Sequence, residues 1–354
     1  MTEPIQVGVL GATGTVGRRL VRALADHPWF RLTEVGASPE SAGKPLGDAA
    51  PADDQGPLPE DAAQLVLKGP DDRWSAPLLL SALPSRVAGP VEAELARHGH
   101  LVVSNAGSHR MDPDVPLIIP EVNPEHLELV ERQSGRWPGA IVTNPNCSVV
   151  GLAIALAPLH RVYGIGSAIV ATLQSLSGAG RPGPAAGVMH DNVVPYIAGE
   201  EEKIAREPLK ILGRMAYGRL EPASFPVSAL VHRVPVMHGH LLAVSVKLGR
   251  EAGPREVAST LAAFRGADPN LRLPSAPPRP IEVIRDDETR PQPRVDRERH
   301  GGMTVTIGRV RGCETLDVKF SVLVHNLVRG AAGAALLNAE LCHARGLTAR
   351  IRAA

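Results

Sequence analysis

The most constraining feature of this chain is a glycine-rich turn that directly follows an apolar strand at its start. The segment Ile5–Leu10 is apolar enough to form a buried strand, and an amphipathic helix is predicted from the turn to Ala25. Glycines in such a unit allow a tight turn and let the backbone approach a pyrophosphate, which the helix N–H groups then bind. The pattern favours a dinucleotide-binding parallel sheet. The predicted cofactor-binding residues of the turn are Gly11, Thr13, Gly14, Thr15, Val16 and Gly17.

The end of the second predicted strand indicates which dinucleotide is bound. A site that prefers NAD usually has Asp or Glu there, to hold the ribose hydroxyls. In this chain the strand beginning at Arg31 ends in Ala37 and Ser38, and Lys44 follows closely. We therefore predict that NADP is the cofactor and that Ser38 and Lys44 lie beside its 2′-phosphate. The alternative for Lys44 is an ordinary solvated loop lysine.

Strand and helix signals alternate through the first part of the chain and then change character. A helix predicted from Val87 to His98 lies between apolar strands, which is typical of a doubly wound sheet. Long β-rich stretches such as Ser167–Ser175 and His240–Leu248 come later, together with a predicted hairpin that ends at Val324. We predict an α/β fold class with a Rossmann-type NADP-binding domain, an α+β catalytic and dimerisation domain with a mostly antiparallel sheet, and a C-terminal helix that packs back on the first domain. The corresponding residues are 1–145, 146–326 and 327–354.

Bulk properties favour a cytoplasmic enzyme. The net charge of +1 and the lack of a basic run argue against binding to nucleic acid or to an acidic membrane surface. The longest apolar stretch, Val149–Leu159, is too short to span a bilayer, and we expect no membrane partner. Three cysteines without C-x-x-C spacing predict neither a disulfide framework nor a metal site.

One of these cysteines, Cys147, stands where a thiolate is expected to be stabilised. Pro145 should end an extended segment over Gly139–Thr143, and a buried helix is predicted over Ser148–Leu159. Unpaired N–H groups and the positive end of the helix dipole favour the anionic sulfur at that position. Cys147 is therefore a candidate nucleophile, although a buried structural cysteine is the commoner case for this residue type.

Several further motifs occur in a fixed order around Cys147. They are Ser104-Asn-Ala-Gly-Ser-His-Arg110, Pro120-Glu-Val-Asn-Pro124, Thr143-Asn-Pro-Asn-Cys-Ser148, Gln174-Ser-Leu-Ser-Gly-Ala-Gly180, Glu200-Glu-Glu-Lys-Ile204, Arg233-Val-Pro-Val-Met-His-Gly-His240, Arg290-Pro-Gln-Pro-Arg294 and Asn326-Leu-Val-Arg-Gly330. With the glycine turn, they resemble the aspartate-β-semialdehyde dehydrogenases of the archaeal and fungal type over nearly the whole chain. The resemblance implies NADPH-dependent reductive dephosphorylation of β-aspartyl phosphate, a step in the biosynthesis of lysine, threonine and methionine. It also implies a homodimer or homotetramer.

The resemblance further implies roles for individual residues. Cys147 would form a thioester that hydride converts to a thiohemiacetal, Asn146 and the Cys147 amide would support the oxyanion, and Gln174 would bind the substrate near the acyl group. The substrate's charges would be bound by Glu200 (ammonium), Lys203 and Arg110 (phosphate) and Arg233 (α-carboxylate). Ser177, Gly178 and Asn326 would contact the cofactor. From the residues alone, Glu200 and Lys203 form an ordinary surface ion pair.

The residue that moves protons is open to two assignments. The family motif identifies His240, seven positions after Arg233. His238 is the rival, because residues two apart in a strand face the same side.

Small departures from the family pattern leave the substrate open. Gly107, Val231 and Leu241 stand where the family often has Ser, Cys and Thr. An alternative is therefore a reductase of malonyl-CoA or of another acyl-CoA or acyl phosphate, with an N-acetylglutamyl-phosphate reductase less favoured. A catalytically inactive NADP-sensing regulator is an alternative from another class.

Overall fold

The structure is a computed structural model that describes residues 3–50, 53, 55–180, 183, 186–268 and 270–352. Residues 1 and 354, the outer bounds predicted for the first domain and for the C-terminal helix, lie outside the described residues. Two six-stranded sheets and one two-stranded hairpin make up the β structure of the described part. No helix in that part is both long and apolar enough to cross a bilayer.

The first sheet begins with the predicted strand–turn–helix unit. Its elements are β1 (Ile5–Leu10), α1 (Thr15–Leu24), β2 (Phe30–Gly36), α2 (Leu46–Ala49), α3 (Glu60–Ala63), β3 (Leu67–Lys68), β4 (Leu78–Ser81), α4 (Ser85–Arg97), β5 (Leu101–Ser104), a 3₁₀ segment (Pro124–Leu129), α5 (Val130–Gln133) and β6 (Ala140–Thr143). The strands are all parallel in the order β3-β2-β1-β4-β5-β6. This doubly wound order places a switch point between β1 and β4, where ligands bind at the carboxyl ends of the strands. The predicted Rossmann-type sheet is confirmed.

The second part of the chain combines a long buried helix with a mixed sheet. Its elements are α6 (Cys147–Tyr163), β7 (Ile165–Gln174), a 3₁₀ segment (Leu176–Ala179), α7 (Ala186–Met189), α8 (Glu200–Ile211), β8 (Arg214–Ala216), β9 (Arg219–Glu221), β10 (Val227–Arg233), β11 (His240–Leu248), α9 (Pro254–Ala263), β12 (Ile281–Ile284), α10 (Pro293–Asp296), a 3₁₀ segment (Arg299–Gly302), β13 (Val305–Gly312), β14 (Val318–Val324), a π-helix (Val328–Ala332), α11 (Gly333–Ala344) and α12 (Leu347–Arg352).

The second sheet has the order β10-β7-β11-β14-β13-β12. The three central pairings are antiparallel, including the predicted hairpin of β13 and β14, whereas the two outer pairings are parallel. In β7, buried residues alternate with accessible ones, because one face of the sheet packs against α6 and α9. The opposite face exposes apolar side chains, among them Ile169 and Leu230.

The two parts of the chain are joined by the helices at the ends of the second part. Helix α6 follows β6 of the first sheet after only three residues, and its apolar side chains form the core of the second part. Helix α11 returns to the first sheet, where Ala335 and Leu337 share an apolar cluster with Val7 and Leu80. The boundaries at residues 145/146 and 326/327 stay predictions.

Candidate active site

Helix α6 begins at Cys147, one residue earlier than the sequence predicts, beyond the carboxyl end of β6. Asn146 caps the helix, since its side-chain oxygen accepts hydrogen bonds from the N–H groups of Ser148 (2.9 Å) and Val149 (3.4 Å). Gly330 of the π-helix lies against this start, where a Cβ on it would be only 2.8 Å from the Cys147 Cβ. The nucleophile candidate is thus held between the helix cap and the π-helix.

Cys147 and His240 form the centre of the site. The Cys147 Sγ lies 3.1 Å from the His240 Nε2, and His240 is fully buried at the start of β11. On the other side of the ring, Nδ1 accepts a hydrogen bond from the Ser175 backbone N–H at 3.0 Å. A neutral imidazole has one proton, and because Nδ1 is an acceptor, that proton is on Nε2. His240 therefore presents an N–H donor to the sulfur.

The protonation of this pair differs from the sequence expectation. Burial, reinforced by the Glu200 carboxylate, raises the pKa of the Cys147 thiol to about 12, although the Arg110, Arg233 and Lys203 cations oppose the shift. Burial also lowers the pKa of His240 to about 3. The site without substrate holds a neutral thiol beside a neutral imidazole, so the helix start does not by itself produce the thiolate predicted from the sequence.

The two rival histidines lie in different surroundings. Gly239 has a φ of +93°, so the backbone between them is not extended and the same-face argument does not apply. His238 Nδ1 lies 2.9 Å from the Ser177 Oγ, and its ring stacks on that of His325. Of the two, the described contacts bring only His240 to the sulfur.

Glu200 is the hub of the polar groups around the thiol. Its Oε2 accepts hydrogen bonds from the side-chain amides of Asn146 (2.8 Å) and Gln174 (3.2 Å), and its Oε1 pairs with the Lys203 ammonium (2.8 Å). These donors outweigh the effect of burial and hold the pKa of Glu200 below its usual value. The ion pair is therefore not an ordinary surface pair, because Glu200 is buried and linked to the residue before Cys147.

Two arginines add positive charge to the site, one beyond a strand of the first sheet and one at the end of a strand of the second. Arg110, in the loop after β5, donates to the carbonyls of Asn144 and Asn105 and to the Glu207 carboxylate. Arg233, at the end of β10, donates through Nη1 to the Ser175 carbonyl at 2.6 Å. Both are buried, as an anion clamp of fixed geometry requires.

The glycine turn has the geometry of a pyrophosphate site. Gly11 has a φ of +73°, and a Cβ on Gly17 would lie 2.1 Å from the Gly11 carbonyl oxygen, so neither position accommodates a side chain. Gly14 is the N-cap of α1 and supplies no side-chain cap. The first N–H groups of α1, from Thr15 to Gly17, have no partner within the helix and are oriented to bind an anion.

The turn after β2 requires a correction to the reason for expecting NADP. Ser38 and Lys44 lie in this turn as predicted, but Glu40 lies between them. Hydrogen bonding from the Ser38 hydroxyl lowers the pKa of the Glu40 carboxyl, and the Lys44 Nζ donates to the Glu40 backbone carbonyl at 2.8 Å. The turn thus contains a carboxylate as well as the predicted cation, and sequence reasoning missed it.

Ser177, Gly178 and Asn326 lie together beside His240. The Asn326 amide donates to the Ser177 Oγ and its oxygen accepts from the Gly239 N–H, both at 2.9 Å. A Cβ on Gly178 would be 2.9 Å from both the His240 Cε1 and the Arg233 Nη1, so this position requires glycine. The three residues order the loop next to the proposed acid/base group.

Comparisons with known proteins agree with this geometry. Residues 6–130 match the family model "Semialdehyde dehydrogenase, NAD binding domain", and residues 156–329 match "Semialdehyde dehydrogenase, dimerisation domain". The aspartate-semialdehyde dehydrogenase of Methanothermobacter thermautotrophicus is 48% identical over 343 residues, which cover 95% of this chain and 98% of the relative. The chain belongs to the aspartate-semialdehyde dehydrogenase family.

Two further relatives of this dehydrogenase chain bear on cofactor and substrate. The crystal structure of the Candida albicans aspartate-semialdehyde dehydrogenase with NADP has a TM-score of 0.89 at 37% identity and covers 98% of this chain and 100% of that one. The malonyl-CoA reductase (NADP) of Metallosphaera sedula is 37% identical over 354 residues, covering 98% and 99%. Both names include NADP, which agrees with the assignment of this chain as an NAD(P)-dependent oxidoreductase.

The dehydrogenase site also contains residues that sequence reasoning missed. Glu207 and Lys210 lie one and two turns beyond Lys203 on the same helix, and Ser175 fixes the ring of His240. The helical spacing of Glu200, Lys203, Glu207 and Lys210 is a signal that was available in the sequence. Among the described residues there is no cluster of three or more His, Cys, Asp or Glu side chains that could bind a metal.

Proposed function

We propose that this chain catalyses the NADPH-dependent reductive dephosphorylation of β-aspartyl phosphate to aspartate β-semialdehyde, and the reverse reaction, with Cys147 as the nucleophile. The observation that carries the proposal is the 3.1 Å contact between the Cys147 Sγ and the His240 Nε2, surrounded by three cationic side chains and one carboxylate. The Cys147 sulfur attacks the acyl carbon, the C–O bond to phosphate breaks, and a thioester forms while the departing phosphate takes the thiol proton and leaves as hydrogen phosphate.

The cofactor is NADP, and the chain has groups suited to each of its parts. The turn Gly11–Gly17 binds the pyrophosphate, and Ser38 and Lys44 bind the 2′-phosphate. The nicotinamide end is contacted by Ser177, Gly178 and Asn326. When bound, the reduced nicotinamide supplies hydride to the acyl carbon. The fit of the turn to an anion rests on its glycines and on the uncapped start of α1.

His240 handles the proton in this proposal. Its Nε2–H points at the sulfur, so it stabilises the thiolate once the thiol proton has left. Once His240 has taken up the proton that the reduction consumes, on Nδ1 beside the Ser175 Oγ at 3.2 Å, the cationic ring gives its Nε2 proton to the oxygen on the carbon that is bonded to the sulfur. Nε2 takes that proton back when the oxygen becomes the aldehyde carbonyl, and the ring then protonates the released Cys147 thiolate. The Cys147 backbone N–H, with the Asn146 side-chain amide, supports negative charge on that oxygen.

The substrate's charges match the side chains around the thiol. Glu200 binds the ammonium, and Arg233 binds the α-carboxylate. Arg110 and Lys203 bind the phosphate, and Gln174 binds near the acyl group. The buried Glu200 carboxylate, with the Asn146 and Gln174 amides packed against it, supports a small substrate that carries an ammonium group rather than a neutral one.

Malonyl-CoA reduction is the second candidate, because a relative of that name is 37% identical. Two assays with the purified protein discriminate between the candidates. One contains NADP, aspartate semialdehyde and phosphate, and the other contains NADPH and malonyl-CoA. We expect rapid NADPH formation with aspartate semialdehyde and phosphate, and no NADPH oxidation with malonyl-CoA. Turnover of malonyl-CoA alone would replace the proposed substrate, and cofactor binding without any turnover would indicate a sensor.

We further propose that the protein forms a homodimer, or a homotetramer built from such dimers. Support comes from the exposed apolar face of the second sheet, where the exposed fraction is 49% for Ile169 and 62% for Leu230. The second part of the chain also matches a dimerisation-domain family. That the protein acts in the cytoplasm stays a prediction.

A further inference from the structure

Helix α8 has a row of four charged residues on one face, of which the proposed mechanism uses two. Glu200, Lys203, Glu207 and Lys210 follow at spacings of three and four residues, which places them on the same side of the helix. The exposed fractions of Glu207 and Lys210 are 2% and 4%. Ionised groups buried this deeply destabilise a fold unless partners surround them, so their contacts indicate what they do.

Glu207 joins the two halves of the site. Its Oε1 accepts a hydrogen bond from the Arg110 Nη1 at 3.0 Å, and its Oε2 accepts one from the Asn146 backbone N–H at 2.7 Å. Arg110 follows β5 of the first sheet, and Asn146 immediately precedes Cys147. The Glu207 carboxylate therefore links the arginine directly to the residue that precedes the nucleophile.

Lys210 holds the backbone of the same arginine. Its Nζ donates to the carbonyl oxygens of Arg110, Asp112 and Val115, each at 2.7 Å. An ammonium has three N–H donors, and all three are used by these carbonyls. The loop that carries Arg110 is thereby fixed to α8.

The orientation of Arg110 follows from these contacts. A guanidinium has five N–H donors, and three of them bind Glu207, the Asn144 carbonyl and the Asn105 carbonyl. Within the described part of the chain, one donor remains on each Nη atom. Two N–H groups in a fixed plane are the arrangement that binds two oxygens of a phosphate.

We propose that Glu207 and Lys210 are positioning residues that aim Arg110 at the phosphate and hold it at a set distance from the Cys147 sulfur. The inference rests on the proposed function for the role of Arg110. Neither residue touches the substrate. Their loss should therefore weaken the use of phosphate more than the use of NADP or of aspartate semialdehyde.

The test uses Glu207→Gln and Lys210→Met in the full-length protein, with Glu202→Gln as the matched control. Glu202 lies on the same helix but is exposed and pairs only with Arg206 in the described contacts. We expect KM for phosphate to rise roughly tenfold or more in both test variants, the scale of a lost hydrogen bond to a charged group. KM for NADP should stay within about twofold, and the control should match wild type.

A second measurement needs no turnover. Inorganic phosphate should slow the alkylation of Cys147 by iodoacetamide, and the concentration for half protection reports phosphate binding directly. We expect that concentration to rise by the same factor in Glu207→Gln and Lys210→Met. Suppose that wild type shows turnover and protection by phosphate, and that both variants need the same phosphate concentration as wild type for half protection. The inference is then wrong and the proposed function stands.

Other outcomes are equally decisive. A uniform loss of kcat with a lower melting temperature and unchanged phosphate protection would assign Glu207 and Lys210 to folding alone and overturn the inference. If wild type shows neither turnover nor protection by phosphate, the proposed function itself fails.

Discussion

At the scale of single residues, the chemistry depends on a pair of groups that are both neutral before substrate binds. Burial opposes charge on Cys147 and on His240 alike, and the Ser175 N–H keeps the imidazole proton on the nitrogen that faces the sulfur. A thiolate forms in this environment only when its charge is compensated. The cations of Arg110, Arg233 and Lys203 provide part of that compensation.

The assignment of the acid/base residue is tested by replacing each histidine. His240→Asn should lower kcat by roughly 10²-fold or more with little change in KM, since a general acid or base contributes on that scale. His238→Asn should keep most of the activity, because His238 contacts Ser177 and His325 instead of the sulfur. Steady-state kinetics of both variants decide between them, and a larger loss in His238→Asn would reverse the assignment.

The protonation of Cys147 is tested by the pH dependence of its alkylation. A thiol whose pKa is raised to about 12 is almost wholly neutral at pH 7, so its thiolate fraction should rise about tenfold for each pH unit up to pH 9. Iodoacetamide labelling of the protein without substrate, followed by peptide mass spectrometry at Cys147, measures this rate. A plateau already reached near pH 7 would restore the thiolate that the sequence alone predicts.

At the scale of elements, the strand–turn–helix unit and the start of α6 were predictable because their signals are local. Apolar strands, punctuating glycines and Pro145 determine both within a few residues. The contacts that complete the site join distant segments: Arg110 and Glu207 are 97 residues apart, and Ser175 and His240 are 65 apart. Local periodicity places Glu207 on the same face as Glu200, but it cannot identify Arg110, which follows a strand of the other sheet, as the partner of Glu207.

The turn after β2 gives a prediction about cofactor preference. Glu40→Gln should raise kcat/KM for NADP relative to NAD severalfold, because it removes a negative charge near the expected 2′-phosphate. Lys44→Ala should change the ratio in the opposite direction. Initial rates with both cofactors measure it, and an unchanged ratio in both variants would show that this turn does not contact the 2′-phosphate.

At the scale of the whole molecule, the parallel sheet and the mixed sheet meet at the thiol. The first sheet contributes Arg110 and the glycine turn, the second contributes Gln174, Arg233 and His240, and α6 connects them. The sequence predicts this division because its hydrophobic pattern changes after Cys147. It does not predict the parallel outer pairings of the second sheet, since strand order depends on long-range connections.

The exposed face of the second sheet gives a prediction about assembly. Ile169→Asp combined with Leu230→Asp should shift the protein to monomers, because two charges would be buried in an apolar interface. The matched control is Val66→Asp, because Val66 is exposed and directly precedes β3, an outer strand of the first sheet. This variant should leave the mass unchanged. Light scattering coupled to size exclusion measures the mass. A double variant that keeps the wild-type mass would exclude this face as the interface.

A thioester on Cys147 leaves a direct signature when phosphate is withheld. Wild-type protein is mixed with aspartate semialdehyde and NADP in the absence of phosphate, and both NADPH and the mass of the Cys147 peptide are followed. We expect a burst of at most one NADPH per chain, an added aspartyl group on Cys147, and continued turnover once phosphate is supplied. Phosphate-dependent turnover without any burst or adduct on Cys147 would contradict it.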